Sequence, residues 1–353
     1  VVTQIWHVDS ASPDPTAVNA AAAILRAGGL VAFPTETVYG LGANALDAAA
    51  VARIFLAKER PASDPVIVHV HEMAQLALVA VEIPPLAYIL AERFWPGPLT
   101  LVLRRAAVVP ASVSAGRDTV AVRMPGHPVA LALLKAAQVP VAAPSANRFA
   151  RPSATTADHV REDLDGRIEG ILDAGSAWIG VESTILDLTK TVPMVLRPGG
   201  VPVERLREML PDLEVVSRHL HITDTQIEAP GMLLKHYAPH AELRLYAGTA
   251  ESVQAAMQSH AAVVRRDGRS FGLLLPDREA GAFRPQPDVQ FSLGDTAEEI
   301  SHRLFDGMRF LDQNGVQVIL AHLFNSEGLG LTLNDRLFRA AEGRVIAADD
   351  DRM

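Results

Sequence analysis

Apolar residues in the first 200 positions recur with two different periods, and the switching between them is the main structural signal. Asp14-Pro15 is an N-cap followed by proline at the first helical position, opening an Ala-rich helix that stops at Gly28-Gly29. Residues 30–33 form a short apolar run halted by Pro34, which reads as a strand. Asp47 caps a second helix through Ala57, with Val51, Ile54 and Phe55 on one face. Strands are predicted over 66–70, 99–103, 119–122, 139–143, 170–173, 183–188 and 194–196. Helices are predicted over 85–94 and 128–137, with another opening near Thr155. Strands interleaved with helices indicate an α/β or α+β sheet domain.

Between Pro202 and Pro239 the periodicity weakens, leaving one helix and an extended connector. A second alternation starts at Ala241: strand 243–246, helix 250–259 and strand 270–275, then a long helix opened by the capping-box pattern Thr296-Ala-Glu-Glu299. Strand 316–321 and helix 331–341 complete a βα-type second domain. The predicted organisation is residues 1–205 as one domain, 206–240 as a linker, and 241–353 as a smaller domain. The length of 353 residues suits two domains.

Composition removes several classes. The absence of Cys excludes disulfides, thiolate zinc sites, iron–sulfur clusters and a cysteine nucleophile. No stretch approaches the ~18 uninterrupted apolar residues of a membrane span, since the longest, 20–31, is broken by Arg26 and two glycines. Residues 1–14 lack a basic segment followed by an apolar one, so the expectation is a cytoplasmic protein without a membrane partner. The net charge of −9 is uneven, −2 over residues 1–200 and −7 over 201–353. Without a long basic stripe, stable direct nucleic-acid binding is not expected, although a local cationic pocket remains open. Only four of the 32 basic residues are Lys (Lys58, Lys135, Lys190 and Lys235), and two of these fall in the segments that follow.

The segment Pro34-Thr-Glu-Thr-Val-Tyr-Gly-Leu-Gly-Ala-Asn-Ala45 imitates a dinucleotide fingerprint, but Pro34 and the Thr-Glu-Thr run interrupt the strand-to-helix geometry that fingerprint needs. It reads instead as a strand end placing hydroxyls around a polar ligand, or as a hairpin-like turn. Lys58-Glu-Arg60 places two cations two residues apart after a helix. In extended chain they project to one side and suit a triphosphate; a solvated helix end is the alternative. His69, in an apolar strand, fits a hydrogen-bonded core histidine as well as a ligand. Pro144-Ser-Ala-Asn147 follows a strand, where Ser145, Asn147 and the later Ser153 can meet phosphate or form local turns. Thr119 and Arg123 share a strand face, Ser183 opens a strand, Arg197 precedes Pro-Gly-Gly, and Lys235-His236-Tyr237 clusters in the connector. A phosphate loop, a His-Glu-x-x-His zinc helix and a Gly-x-Ser-x-Gly elbow are all missing, which leaves a cationic, hydroxyl-rich pocket without an obvious covalent nucleophile.

In order, PTETVYGLGANA, KERPASDPVIVHV, FWPGPLTLVL, TVAVRMPGHP, PSANRFARPSATT, VESTILDL, LRPGG, PGMLLKHYAP and GLGLTLNDRLFRAA resemble the threonylcarbamoyl-AMP synthase family in its longer two-domain form. The resemblance implies a YrdC-like twisted mixed sheet with flanking helices and a concave basic face, plus a smaller Rossmann-like α/β domain. It implies a nucleotidyltransferase that joins L-threonine, bicarbonate or CO2, and ATP into threonylcarbamoyl-AMP and pyrophosphate. That product supplies a separate complex that modifies the tRNA adenosine beside the anticodon. Mg²⁺ with ATP is implied, without an organic cofactor or a protein metal site. The resemblance assigns Thr35, His69, Arg123, Ala143 and Ser183 to threonine, and Lys58, Arg60, Thr119, Ser145, Asn147, Ser153, Arg197, His236 and Tyr237 to ATP. Lys58 and Arg60 are the expected catalytic cations, and the connector residues the expected lid. Glu59 stands where the family usually has a small residue, and Asp64 where Asn or His is common. Alternatives are a non-catalytic RNA or ribosome-precursor binding module and a related carbamoyl-transfer enzyme.

Overall fold

The computed structural model describes residues 2–216 and 237–349. The chain divides into two compact units, one of residues 1–149 and 153–233, the other of 150–152 and 234–353.

The first unit is built on a twelve-stranded mixed sheet. Its order runs Gln4–His7, Gly170–Asp173, Val31–Phe33, Gly40–Asn44, Val141–Ala142, Ile67–His69, Thr119–Arg123, Leu99–Arg105, Thr184–Asp187, Met194–Arg197 and Glu214–Val215, with Ala80–Val81 paired to Leu99–Arg105. Local chemistry sets the helix ends: the Asp14 carboxylate accepts from Thr16 N ahead of helix Pro15–Arg26, and Asp47 accepts from Ala49 N and Ala50 N ahead of helix Ala48–Lys58. Helices Pro15–Arg26 and Pro128–Ala137 bury Leu25, Leu133 and Leu134 against Val31, Phe33 and Leu172 of the sheet. At ~1.5–3 kcal/mol per fully buried large aliphatic side chain, this layer holds one face of the sheet in place.

The glycine-rich segment bears out the reading against a dinucleotide fingerprint, whereas the Lys58–Arg60 segment differs from the extended chain expected. Gly40–Asn44 is a strand, antiparallel to Val31–Phe33, so the glycine-rich segment is one arm of a hairpin and not a pyrophosphate turn. A Cβ on Gly42 would lie 2.9 Å from both Phe33 and Val141, so this glycine serves close sheet packing. Lys58 is the last residue of its helix and Glu59 is left-handed (φ 56°), so Lys58 and Arg60 are not on extended chain. They are brought together by a helix C-terminus that turns sharply, and both are buried.

Register then positions the site. Strands Ile67–His69 and Thr119–Arg123 are parallel, with His69 opposite Arg123 at their carboxyl ends. Thr184–Asp187 runs parallel to Leu99–Arg105 and places Ser183, one residue ahead of its strand, beside Thr100.

The second unit is a five-stranded, all-parallel sheet in the order Val289–Gln290, Phe271–Leu274, Val318–His322, Glu242–Ala247 and Val345–Ala347. The long helix is Ala297–Gln313, and its Thr296/Glu299 capping box forms as the sequence predicts.

Gly199 fixes how the turn after Met194–Arg197 meets Ser183. A Cβ there would lie 2.3 Å from the Ser183 carbonyl carbon and 2.4 Å from Glu182 O and Thr184 N, all backbone atoms unable to rotate away. Gly199→Ala should therefore cost at least the ~1–3 kcal/mol typical of overpacking. A urea midpoint equal to that of the unsubstituted chain would contradict this.

Candidate active site

The site grows from the carboxyl ends of neighbouring strands in the first unit. Arg123 is buried, and its guanidinium is spread over three partners. Nε donates to Gly97 O at 3.1 Å, Nη1 donates to Thr37 Oγ1 at 2.9 Å, and Nη2 ion-pairs with Glu36 Oε1 at 2.7 Å. The Thr35 hydroxyl donates to Val38 O at 2.6 Å, so its 2.8 Å contact with Thr37 is one in which Thr37 donates. Arg123, Thr37 and Thr35 thus form a directed chain that orients the hairpin connection. Backbone bonds from Ile179 N to Glu36 O and from Gly180 N to Thr37 O clamp that connection from the other side.

His69 is 3% exposed, and its Nδ1 meets no hydrogen-bond partner among the described residues. Burial, reinforced by the nearby Arg123 charge, pushes its pKa down to about 3, so the imidazole is neutral at neutral pH. The hydrogen-bonded core histidine is therefore not what the structure shows at Nδ1. Phe33 meets the His69 ring edge to face at 6.2 Å. Ala143, immediately beyond Val141–Ala142, completes this wall through Ala143 N donating to Ile67 O.

A second cluster surrounds Asp64. This carboxylate has no exposed surface and pairs with Arg60 Nη2 at 2.9 Å, while Arg60 also donates to Pro65 O at 2.7 Å. Burial pushes the Asp64 pKa up; Arg60, Lys58, Arg197 and Arg117, in that order, pull against it. Four cations thus act on one carboxylate. Glu59 turns outward and binds Arg148 and Arg167.

The loop after Val141–Ala142 is held by Lys58, whose Nζ donates to the carbonyl oxygens of Ser145 and Asn147. Ser145 also bridges to Gly40. Ser183 lies beside the second cluster: its hydroxyl is 2.7 Å from Thr100 Oγ1, and Arg197 Nη2 donates to its carbonyl at 2.8 Å and approaches its hydroxyl at 3.3 Å. Ser153 donates to Glu182.

Thr119 opens the strand that Arg123 closes, about 13 Å of extended chain away, so these two are separated along one face. Tyr237 belongs to the second unit, buried against Phe305 with Arg336 over its ring. Lys235 and His236 lie outside the described residues.

Four participants were missed from sequence. Glu36 and Thr37 sit inside the quoted Thr-Glu-Thr run, whose hydroxyl and carboxylate spacing was the available signal. Arg117 lies in a turn before its strand and carries no local pattern. His127, pushed down to about 4 by burial with Glu36 opposing, is the N-cap of Pro128–Ala137 and stacks on the exposed Trp178.

Two measurements follow from these buried charges. The unfolded chain protonates His69 as pH falls through 6.5, whereas the folded chain does so only near 3, so this residue erodes stability as pH drops from about 6.5 to 3 and has no effect above. His69→Gln should flatten that part of the stability profile, and an unchanged slope would contradict the neutral buried state. Arg60→Met strands the Asp64 carboxylate and should cost ~3–5 kcal/mol, while Arg60→Met with Asp64→Leu should recover most of it. Additive losses in denaturant titrations would show that the pair is not coupled.

Comparison with known proteins agrees with this geometry. A family profile described as telomere recombination matches residues 23–199, and one described as the C-terminal domain of threonylcarbamoyl-AMP synthase matches 201–342. The threonylcarbamoyl-AMP synthase of Pyrococcus abyssi is 46% identical over 329 residues, covering 93% of this chain and 95% of that protein. The Bacillus subtilis protein of the same name is 43% identical over 351 residues, covering 98% and 99%. Among solved structures, that of Pyrococcus abyssi Sua5 complexed with L-threonine matches with a TM-score of 0.91 at 45% identity, over 98% of this chain and 99% of that one. This chain belongs to the threonylcarbamoyl-AMP synthase family, in its two-domain form.

Proposed function

We propose that this chain is an L-threonylcarbamoyladenylate synthase in which the Thr35–His69–Arg123–Ser183 wall takes L-threonine and the cations around Asp64 take ATP. The threonine amine combines with CO2, supplied as such or from bicarbonate, to give a carbamate and release a proton. A carbamate oxygen then attacks the α-phosphorus of ATP. The new O–P bond forms as the bond from that phosphorus to the β-phosphate bridging oxygen breaks, and the electron pair leaves with pyrophosphate. No protein nucleophile is needed. The chain must bring two anions together, hold them in line and stabilise the charge that develops. The observation that carries this reading is Ser183, assigned to threonine, whose hydroxyl lies within 3.3 Å of Arg197, one of the cations acting on Asp64.

Arg123 offers a guanidinium fork suited to the threonine carboxylate, and its pairing with Glu36 and Thr37 keeps that fork from turning. Neutral His69 adds hydrogen bonding without further charge. Lys58 and Arg60 set the loop that faces the phosphates. Mg²⁺ enters this reading on the nucleotide, where it neutralises phosphate charge. Asp64 and Glu36 are each engaged by an arginine, and no three His, Asp or Glu side chains converge on a metal position among the described residues. The ion would then be carried by the phosphate oxygens of ATP, supplying charge neutralisation at the reacting phosphates. The mixed anhydride product is a reactive acyl donor, to be consumed by a separate tRNA-modifying complex in the cytoplasm.

The test is pyrophosphate release from ATP, bicarbonate and L-threonine with excess Mg²⁺. Release should require threonine and yield threonylcarbamoyl-AMP; threonine-independent release, or none, would overturn the reading. Arg123→Lys keeps the charge and loses the fork. It should raise the threonine KM by about tenfold or more and leave the ATP KM unchanged.

A further inference from the structure

The second unit contains a cavity of about 610 Å³ that the reaction above does not use. It opens over the carboxyl ends of three adjacent parallel strands, at Tyr246–Ala247, Leu275 and His322. In open parallel sheets this is where ligands gather, and the volume lies in the range of small-molecule sites. The floor is apolar and tightly buried, made by Tyr246, Val253, Met257, Leu275 and Phe283. Val253 and Met257 come from one face of the helix Ala250–Arg266, which also presents Gln254 at the rim.

The polar groups are few and converge on the rim. His322 and Glu279 are paired at 2.7 Å and neutralise each other. The Arg278 guanidinium is exposed, with Glu279 4.0 Å from its Nε, while Asp295 accepts from the Arg278 backbone N–H at 3.0 Å. The Gln254 side chain has no described partner and can both donate and accept. Across the cavity mouth, Gly248 and Thr249 lead into Ala250–Arg266. Thr249 N donates to both oxygens of the Asp349 carboxylate at 3.2 Å, and a Cβ on Gly248 would lie 2.8 Å from those oxygens. The chain's own carboxylate thus occupies a backbone position suited to an anion, beside an empty apolar floor and an exposed cation.

We propose that this cavity is a second ligand site for a planar heteroaromatic compound carrying one anionic group, the class to which nucleoside monophosphates belong. The ring system covers Met257, Leu275 and Phe283, Gln254 reads its polar edge, Arg278 meets the anion, and the anion displaces Asp349 from the Gly248–Ala250 turn. The site is independent of the reaction proposed for the first unit.

The experiment uses the full chain with ¹³C-methyl methionine, in which the Met257 methyl reports locally on the cavity floor. AMP should shift this resonance saturably, adenosine more weakly, and inorganic phosphate not at all. Arg278→Ala should weaken AMP about tenfold. Asp349→Ala should tighten AMP and leave adenosine unchanged, and threonine-dependent pyrophosphate release should be unaffected by both. Gln254→Ala, at an exposed position, provides a further variant that leaves the core intact and should weaken AMP and adenosine alike. A Met257 signal that AMP does not move, that phosphate alone moves equally, or whose AMP response ignores the Arg278 and Asp349 changes, would overturn the proposal.

Discussion

Arg60 and Asp64 are held 2.9 Å apart with almost no contact with water, and much of the first unit's arrangement follows from having to place charges there at all. Removing a cation from water is expensive unless partners replace its hydration. The chain meets that requirement with carbonyl oxygens and carboxylates in fixed positions. Lys58 has the Ser145 and Asn147 carbonyls, Arg60 has Asp64 and Pro65, Arg123 has Glu36, Gly97 and Thr37, and Arg197 has Ser183. Each partner orients its cation as well as compensating it. Under the proposed function, the groups would be preorganised for an anion and reorganisation on binding would be small. The surface pair of Glu59 with Arg148 shows the contrast: exposed to solvent, it contributes little and orients nothing in the pocket.

Much of this was legible where chemistry is local. Caps at Asp14, Asp47 and Thr296, and prolines at first helical positions, placed the helices because a terminus needs a specific donor or acceptor beside it. The carboxyl ends of Ile67–His69 and Thr119–Arg123 carried His69 and Arg123 as expected from their strand patterns. Short strands were harder to read. Gly40–Asn44 is a strand because it fits between Phe33 and Val141, a tertiary requirement that overrides the turn preference of its glycines. The predicted strand at 139–143 contracts to Val141–Ala142, since only those residues exchange ladder bonds with neighbours on both sides.

The site itself was legible as a set of residue types and not as a set of pairings. Sequence proximity suggested that Lys58 and Arg60 act together from extended chain; the structure separates them by a left-handed Glu59 and gives each its own partners. Asp64 was only half legible as the centre of the cationic cluster, because Arg60 and Lys58 are near it in sequence whereas Arg197 and Arg117 are distant. Glu36 was hidden for the opposite reason: its neighbours in the motif drew attention as hydroxyls, and its partner Arg123 lies 87 positions further on. Buried ion pairs between sequence-remote residues leave no periodic trace.

Under the proposed function, neutral His69 beside charged Arg123 would let the pocket choose among amino acids. If both were cationic, the wall would bind any small anion through charge alone, a signal with little shape information. A buried neutral imidazole with an unmatched Nδ1 is different, because its hydration has been removed and only a ligand atom of the right polarity can replace it. A ligand bringing a hydroxyl to this wall satisfies it, whereas an isosteric methyl leaves a desolvated polar atom without a partner. Sites built in this way reject apolar isosteres far more strongly than apolar pockets reject an added hydroxyl. Under that proposal, burial of His69 would set its charge state and its selectivity together, with Phe33 against its ring and Arg123 opposite it in the strand register.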